Sequence, residues 1–408
     1  MKNILLAGIL IIFSIVGNSQ EKFTHYKKSE NKGLVSNCID IIAEDNKGNL
    51  FFVAGDPYAS SAWNDPNLFG YEANAYNMAG SAAQLIATGI QAASTVYGLS
   101  MFNGKEWRLY KSKKDGLADK KIHLVFKDSK GWLYFGTTKG LSLWDCEKMS
   151  LITKKNGLAG DWINEIFEDS KGNIWVLTGE VHNQYGGAGG VSMFDGKKWQ
   201  SWNKKNGLGT SKAALIKEDK YGNIWVATGN SDNPYVKGGG VSMYNGDIWK
   251  TFTKENGLSK NKVKYIFVDK KGNLWISYVD VLYGNVLSYF DGTWHHFKSK
   301  DGAFAASWIY EDDNGNIVIY SGGRYAKYDW KSWEKIENND TKITGYYDSK
   351  GNIWQISSKG VKKFDGSIWT EYTRKNGLID GSIRSIYEDS KGNIWFGGRK
   401  KGISKFTP

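Results

Sequence analysis

Residues 168–178 read EDSKGNIWVLT and residues 190–199 read GVSMFDGKKW. In the first stretch, Asp169-Ser170-Lys171-Gly172 joins the run from Ile163 to Glu168 to the run from Asn173 to Leu177. An Asp side chain accepts hydrogen bonds from turn amides and Gly tolerates positive φ, so the tetrapeptide is a tight turn between two strands. The Asp is there for geometry and not for catalysis. The second stretch repeats the logic: Asp195-Gly196 joins the run from Gly190 to Phe194 to a run from Trp199 to Trp202. One unit therefore holds four short antiparallel strands.

The unit recurs. Written as NGL, ten residues, D-x-x-G-N-I-W, a loop and G-V-S-x-F-D-G-x-x-W-x-x-[YF], it appears eight times, with turn glycines at Gly48, Gly131, Gly172, Gly222, Gly272, Gly315, Gly351 and Gly392. After the first gap these lie 36 to 50 residues apart, the period of propeller blades. Among the 18 tryptophans, Trp175, Trp225, Trp275, Trp354 and Trp395 fall in the second strand, and Trp107, Trp199, Trp249, Trp294, Trp333 and Trp369 open the fourth. A large aromatic at a fixed place in every twisted sheet fills the gap to the next sheet, each burial contributing roughly 1.5–3 kcal/mol. These are packing residues. The expected fold class is all-β, a single β-propeller of eight four-stranded blades over residues 20–408, with seven blades as the alternative.

The last copy stops at Ile403-Ser-Lys-Phe406 without its fourth strand. Phe23-Thr-His-Tyr26, followed by Lys32-Gly33-Leu34, matches the missing piece, so the two ends of the repeat array are expected to complete one blade and leave only short protected edges. Residues 56–97 contain neither turn motif and fall between the second strand of the first copy (Leu50 to Ala54) and its third (Leu99 to Asn103). They read as an insertion, with a small-residue helix between Met78 and Ser94.

The motifs NGL, EDSKGNIWVLT and GVSMFDGKKW resemble the two-component regulator propeller repeats, over nearly all of residues 23–406. In that family such repeats form the extracytoplasmic sensor region of hybrid sensor kinases. The resemblance implies a free-standing ligand-binding half, without kinase, that hands information or a captured molecule to a membrane receptor or partner protein. It also implies ligands that are commonly glycan fragments.

The first nineteen residues have a basic start at Lys2, an apolar run from Ile4 to Val16 and small or polar residues ending at Ser19, which reads as a secretory signal peptide with Gln20 as the mature start. The run is shorter than the ~20 apolar residues a spanning helix needs, and no later stretch reaches that length. A periplasmic or extracellular product is expected. Cys38 and Cys146 sit at unrelated points of the repeat and form no disulfide framework or metal spacing. The net charge of +12 is almost wholly lysine, placed in turns such as KKNG and DSKG, whereas a nucleic-acid surface would favour arginine in a contiguous stripe. The lysines read as solvated loop tips, with a weak attraction to acidic polymers as the alternative, and neither a nucleic-acid partner nor a cofactor is expected.

Variable material concentrates between second and third strands in blades three to five, where Tyr185, Asn230, Asp232, Tyr235, Asp280 and Tyr283 are candidate ligand-binding residues. Tyr rings stack on sugar or peptide faces while amides and carboxylates fix hydroxyls. A second candidate surface is the central channel. There the position after the first Ile of the I-x-x-I pattern in the first strand holds His123, Asn164, Lys264 and Arg384, although that spacing does not alternate cleanly. Catalysis is not expected: the five histidines have no ligand spacing, the arginines form no carboxylate clamp, and no metal site is read. A propeller-type lyase using His182 as base is one alternative reading, and a structural protein–protein scaffold is another.

Overall fold

The computed structural model describes residues 22–55, 98–179, 189–229, 238–278, 285–312, 314–336 and 345–408. Its strands form eight four-stranded antiparallel sheets, each following chain order from first strand to fourth. Blade three is representative, with strands Ile163–Glu168, Ile174–Thr178, Gly190–Phe194 and Trp199–Trp202. The eighth sheet draws on both ends of the chain. Its outer strand is Lys22–Tyr26, paired antiparallel with Ile403–Thr407 so that Phe23 faces Phe406 and Tyr26 faces Ile403. The all-β, eight-blade reading therefore holds over the seven-blade one. The 56–97 insertion and its expected helix, and the signal peptide of residues 1–19, lie outside the described residues.

The repeated Asp is the anchor of each blade. Asp169 Oδ1 accepts the backbone amides of Lys171 and Asn173, while Oδ2 accepts Asn173 Nδ2 at 2.9 Å and Trp175 Nε1 at 2.8 Å. One carboxylate thus closes the turn and orients the core indole. The same indole bond recurs at Trp225 with Asp219, Trp275 with Asp269, Trp354 with Asp348 and Trp395 with Asp389, and all five rings are fully buried. Of the fourth-strand tryptophans, Trp107, Trp199, Trp249, Trp294 and Trp333 are partly buried and pack against the clusters between blades, while Trp369 is exposed. Gly157 shows why NGL needs its glycine: φ is +112°, and a Cβ there would sit 2.7 Å from Trp199 Cβ.

Neighbouring sheets pack face to face. Apolar clusters fill the junctions between blades one and two, on through five and six, and those between seven and eight and between eight and one. The strand from the N-terminal end serves two of these junctions, because Phe23 packs on Tyr372 of blade seven and Tyr26 on Phe102 and Trp107 of blade one. Polar clips cross the seams as well. Ser129, Ser170, Ser349 and Ser390 each donate amide and hydroxyl to a glutamate at the end of the next first strand, respectively Glu168, Glu218, Glu388 and Glu44, at 2.6–2.7 Å.

The two roles of the core indole separate by mutation. Trp225→Phe keeps most of the ring but removes the donor to Asp219, and is expected to cost about 1–2 kcal/mol; Trp225→Ala empties the site and is expected to cost about 3–5 kcal/mol. Urea unfolding followed by tryptophan fluorescence checks both values.

Candidate functional site

In the first strand of blades one to five and blade eight, register is lost at the second residue. Ile163 faces Thr178 and Glu165 faces Leu177, leaving Asn164 unpaired, and the same break falls at Asp40, His123, Ala214, Lys264 and Arg384. A β-bulge re-aims the extra side chain. This is the physical reason why the I-x-x-I spacing fails to alternate. All four sequence-selected first-strand residues are bulge residues, and the first strands of blades one to six, and of blade eight with blade one, lie side by side.

The bulge side chains reach sideways, towards the start of the next first strand. His123 Nε2 lies 2.7 Å from the Ile163 carbonyl, so that nitrogen carries the proton and donates, and burial holds the ring's pKa below the ordinary histidine value. Asn164 Nδ2 donates to the carbonyls of Gly179 and Ala213, both at 2.9 Å. Lys264 Nζ donates to Ser307 Oγ at 2.9 Å. Arg384 is buried and pairs with Asp40 across the junction of the last and first blades. These four residues thus occupy equivalent places at four different seams and do not converge on one point.

Asn164 retains unused capacity: its Oδ1 is buried and has no hydrogen-bond partner. Beside it stands Glu165, which the sequence reading did not single out. The residue after the bulge is Ile41, Leu124, Leu215 and Tyr265 in other blades, whereas blade three places a carboxyl there, 5 % exposed. Its Oε2 accepts the Ile216 amide of blade four at 3.0 Å. Desolvation pushes its pKa up to about 8, against the smaller opposing effects of Lys217 and the Ile216 amide. Comparison of the repeats at this one column is the signal that would have found it.

Tyr185, Asn230, Asp232, Tyr235, Asp280 and Tyr283 lie outside the described residues, as does His182. Their loops leave from the ends of second strands, which in an antiparallel blade is also the end where first strands begin. The described ends of those second strands and the bulge residues accordingly belong to the same face of the ring. Among the described residues no group of three or more His, Cys, Asp or Glu side chains is placed to hold a metal ion, and no helix is long and apolar enough to cross a membrane.

The two component regulator propeller family model matches residues 157–180 and 377–400, which run from the NGL glycine through the D-x-x-G-N-I-W strand of blades three and eight. Those two segments carry the repeat of that family. Among solved structures, it is similar to the extracellular domain of a proposed hybrid two component system from B. thetaiotaomicron, at 15 % identity and TM-score 0.44, covering 90 % of this chain and 52 % of that one. It is also similar to PorZ, a surface component of the type-IX secretion system of Porphyromonas gingivalis, at 13 % identity and TM-score 0.41, covering 91 % of this chain and 46 % of that one. The chain spans about half the length of these two structures. No curated protein matches it.

Glu165 gives a pH test of the seam. With a folded pKa near 8 and an ordinary unfolded value near 4.5, the folded state holds the proton more tightly, so its contribution to stability falls as pH rises from about 4.5 to about 8. Glu165→Gln removes that loss. Urea unfolding should show the variant close to wild type at pH 5 and more stable than wild type at pH 8, with the gap widening between them.

Proposed function

We propose that this chain, a carrier of two component regulator propeller repeats, is an exported, non-catalytic recognition module resembling the sensor region of two-component regulators. It holds a glycan or a protein partner on the face that bears the second-to-third-strand loops, and presents it to a membrane receptor or another partner protein. The observation that carries this reading is the contrast within each repeat. The turn Asp and the seam Glu are engaged in holding the ring, as with Asp169 and Glu168, while the bulge column varies among Asp40, His123, Asn164, Ala214, Lys264 and Arg384 at constant backbone geometry. A frame that keeps its geometry while changing its side chains suits recognition. The acids that recur in every blade are unsuited to general acid–base work, because a carboxylate saturated by turn amides and an indole has no lone pair facing a substrate.

In this reading Tyr185 and Tyr235 supply stacking surfaces, Asn230, Asp232, Asp280 and Tyr283 supply hydrogen bonds, and the bulge residues line the floor beneath them. The export step rests on the apolar run from Ile4 to Val16.

A glycan array probed with the purified mature protein tests the proposal. Binding to at least one oligosaccharide, weakened ten-fold or more by Tyr185→Ala combined with Tyr235→Ala and with the sugar recovered intact, is the expected result. Unchanged binding by the double variant would overturn the assignment of the loops. Release of unsaturated products, abolished by His182→Ala, would replace the recognition module with a lyase.

A further inference from the structure

The charge of the chain is divided unequally between the two faces of the ring. Connections from a fourth strand to the next first strand, together with second-to-third-strand loops, emerge on one face; first-to-second and third-to-fourth turns emerge on the other. Over the described residues the first face carries 24 Lys or Arg against 7 Asp or Glu, and the second carries 13 against 16. The residues outside the described ones hold 3 lysines and 10 acids, too few to reverse the first figure even if all are counted on that face.

The arrangement of the cations is as telling as their number. Lys113-Lys114, Lys154-Lys155 and Lys204-Lys205 are the first two residues of equivalent 3-10 turns in consecutive blades, each closed by a capping box on Ser112, Thr153 or Asn203. All six are exposed, and the repeat sets them at one height along an arc of the rim. Of the seven acids on this face, Glu30 and Asp119 pair with Lys27 and Lys139, while three others are drawn inward: Asp115 accepts the amides of Lys111 and Ser112, Asp161 that of Lys154, and Asp380 those of Lys400 and Lys401. These three stabilise backbone, and the six lysines of the 3-10 turns are exposed.

We infer that this face adsorbs onto an anionic lipid surface. A plane of coplanar cations matches a plane of phosphate headgroups, whereas a single linear polyanion crossing the ring would meet only a few blades at once. The cations are lysine, whose compact ammonium suits a fluid array of point charges, in place of the arginine fork that fixed, bidentate recognition favours. Attraction of this kind extends only about one Debye length, ~10 Å at 0.1 M salt, so it is salt-sensitive and confined to the face that is presented. The inference stands independently of the proposed ligand. If both hold, the ligand is met at the membrane.

Co-sedimentation with vesicles of 30 % phosphatidylglycerol in phosphatidylcholine tests it, against pure phosphatidylcholine as control. The expected result is binding to the anionic vesicles only, reduced at least ten-fold on raising salt from about 0.05 M to about 0.5 M. K113E/K114E/K204E/K205E should lower affinity at least ten-fold, whereas K47E/K171E/K350E/K391E, with the same change of net charge on the opposite face, should change it less than three-fold. Where a quadruple variant does not fold, judged by its thermal melt, the pairs K113E/K114E and K171E/K350E carry the same comparison at about three-fold. Equal losses on the two faces, no sedimentation with anionic vesicles, or binding to soluble polygalacturonate without binding to vesicles would each overturn the inference.

Discussion

A carboxylate that gathers three or four donors holds each blade together. At Asp389 the amides of Lys391 and Asn393, the side-chain amide of Asn393 and the indole of Trp395 converge on two oxygens, and the residue is 7 % exposed. A buried carboxylate is costly unless it is fully hydrogen-bonded, so each donor is needed for the others to be useful. The turn therefore sets the hairpin register, and through Trp Nε1 it sets the rotamer of the side chain that fills the space to the next sheet. Local turn geometry and inter-blade packing are consequences of the same group.

That dependence explains how the ring tolerates blades that break the motif. Blade one has Phe51 where others have Trp, and Asp45 instead accepts Trp144 Nε1 from the third strand of blade two at 2.8 Å. Blade two has Tyr134, whose hydroxyl donates to Asp128 at 3.1 Å. In these two blades a donor is kept in that place, and an indole from the neighbouring blade satisfies it as well as one from the same strand; blade six has Val318 there, and Trp330 Nε1 donates to the Gly315 carbonyl instead. The seam becomes tighter as a result, because Trp144 also packs on Phe51.

Blade number, the shared terminal sheet and the packing role of the tryptophans were legible in the sequence because they depend on residues close together in the chain and on their period. Asp169 lies 6 residues from Trp175, and Gly157 opens the same unit that Trp199 closes. What escaped was contact between units. Ser129 meets Glu168 from 39 residues away and Ser390 meets Glu44 from 346, and nothing in either local motif names its partner. The bulge was visible only as a failed alternation, since an extra residue shifts the pattern without saying which side chain is displaced. Glu165 was hidden for the same reason: in a single unit, INEIFE reads as an ordinary half-polar strand, and its carboxyl becomes exceptional only once Ile216 of the next blade closes over it.

The same division between local and inter-blade constraint bears on where recognition can reside. Of the positions that hold the ring, the turn Asp keeps its chemistry in every blade and the seam Ser–Glu clip recurs at four seams. Positions free to differ are those whose backbone is specified by others, and the bulge is one, because its conformation follows from the pairing on either side. Arg384 with Asp40, Lys264 with Ser307 and Asn164 with the Ala213 carbonyl are three chemistries placed on one backbone feature. Each uses part of its capacity to join two blades, and Asn164 leaves an acceptor over. A ring built this way carries a column of interchangeable side chains beside its axis, on the face where the lysine turns gather, without weakening the bonds that keep the ring together.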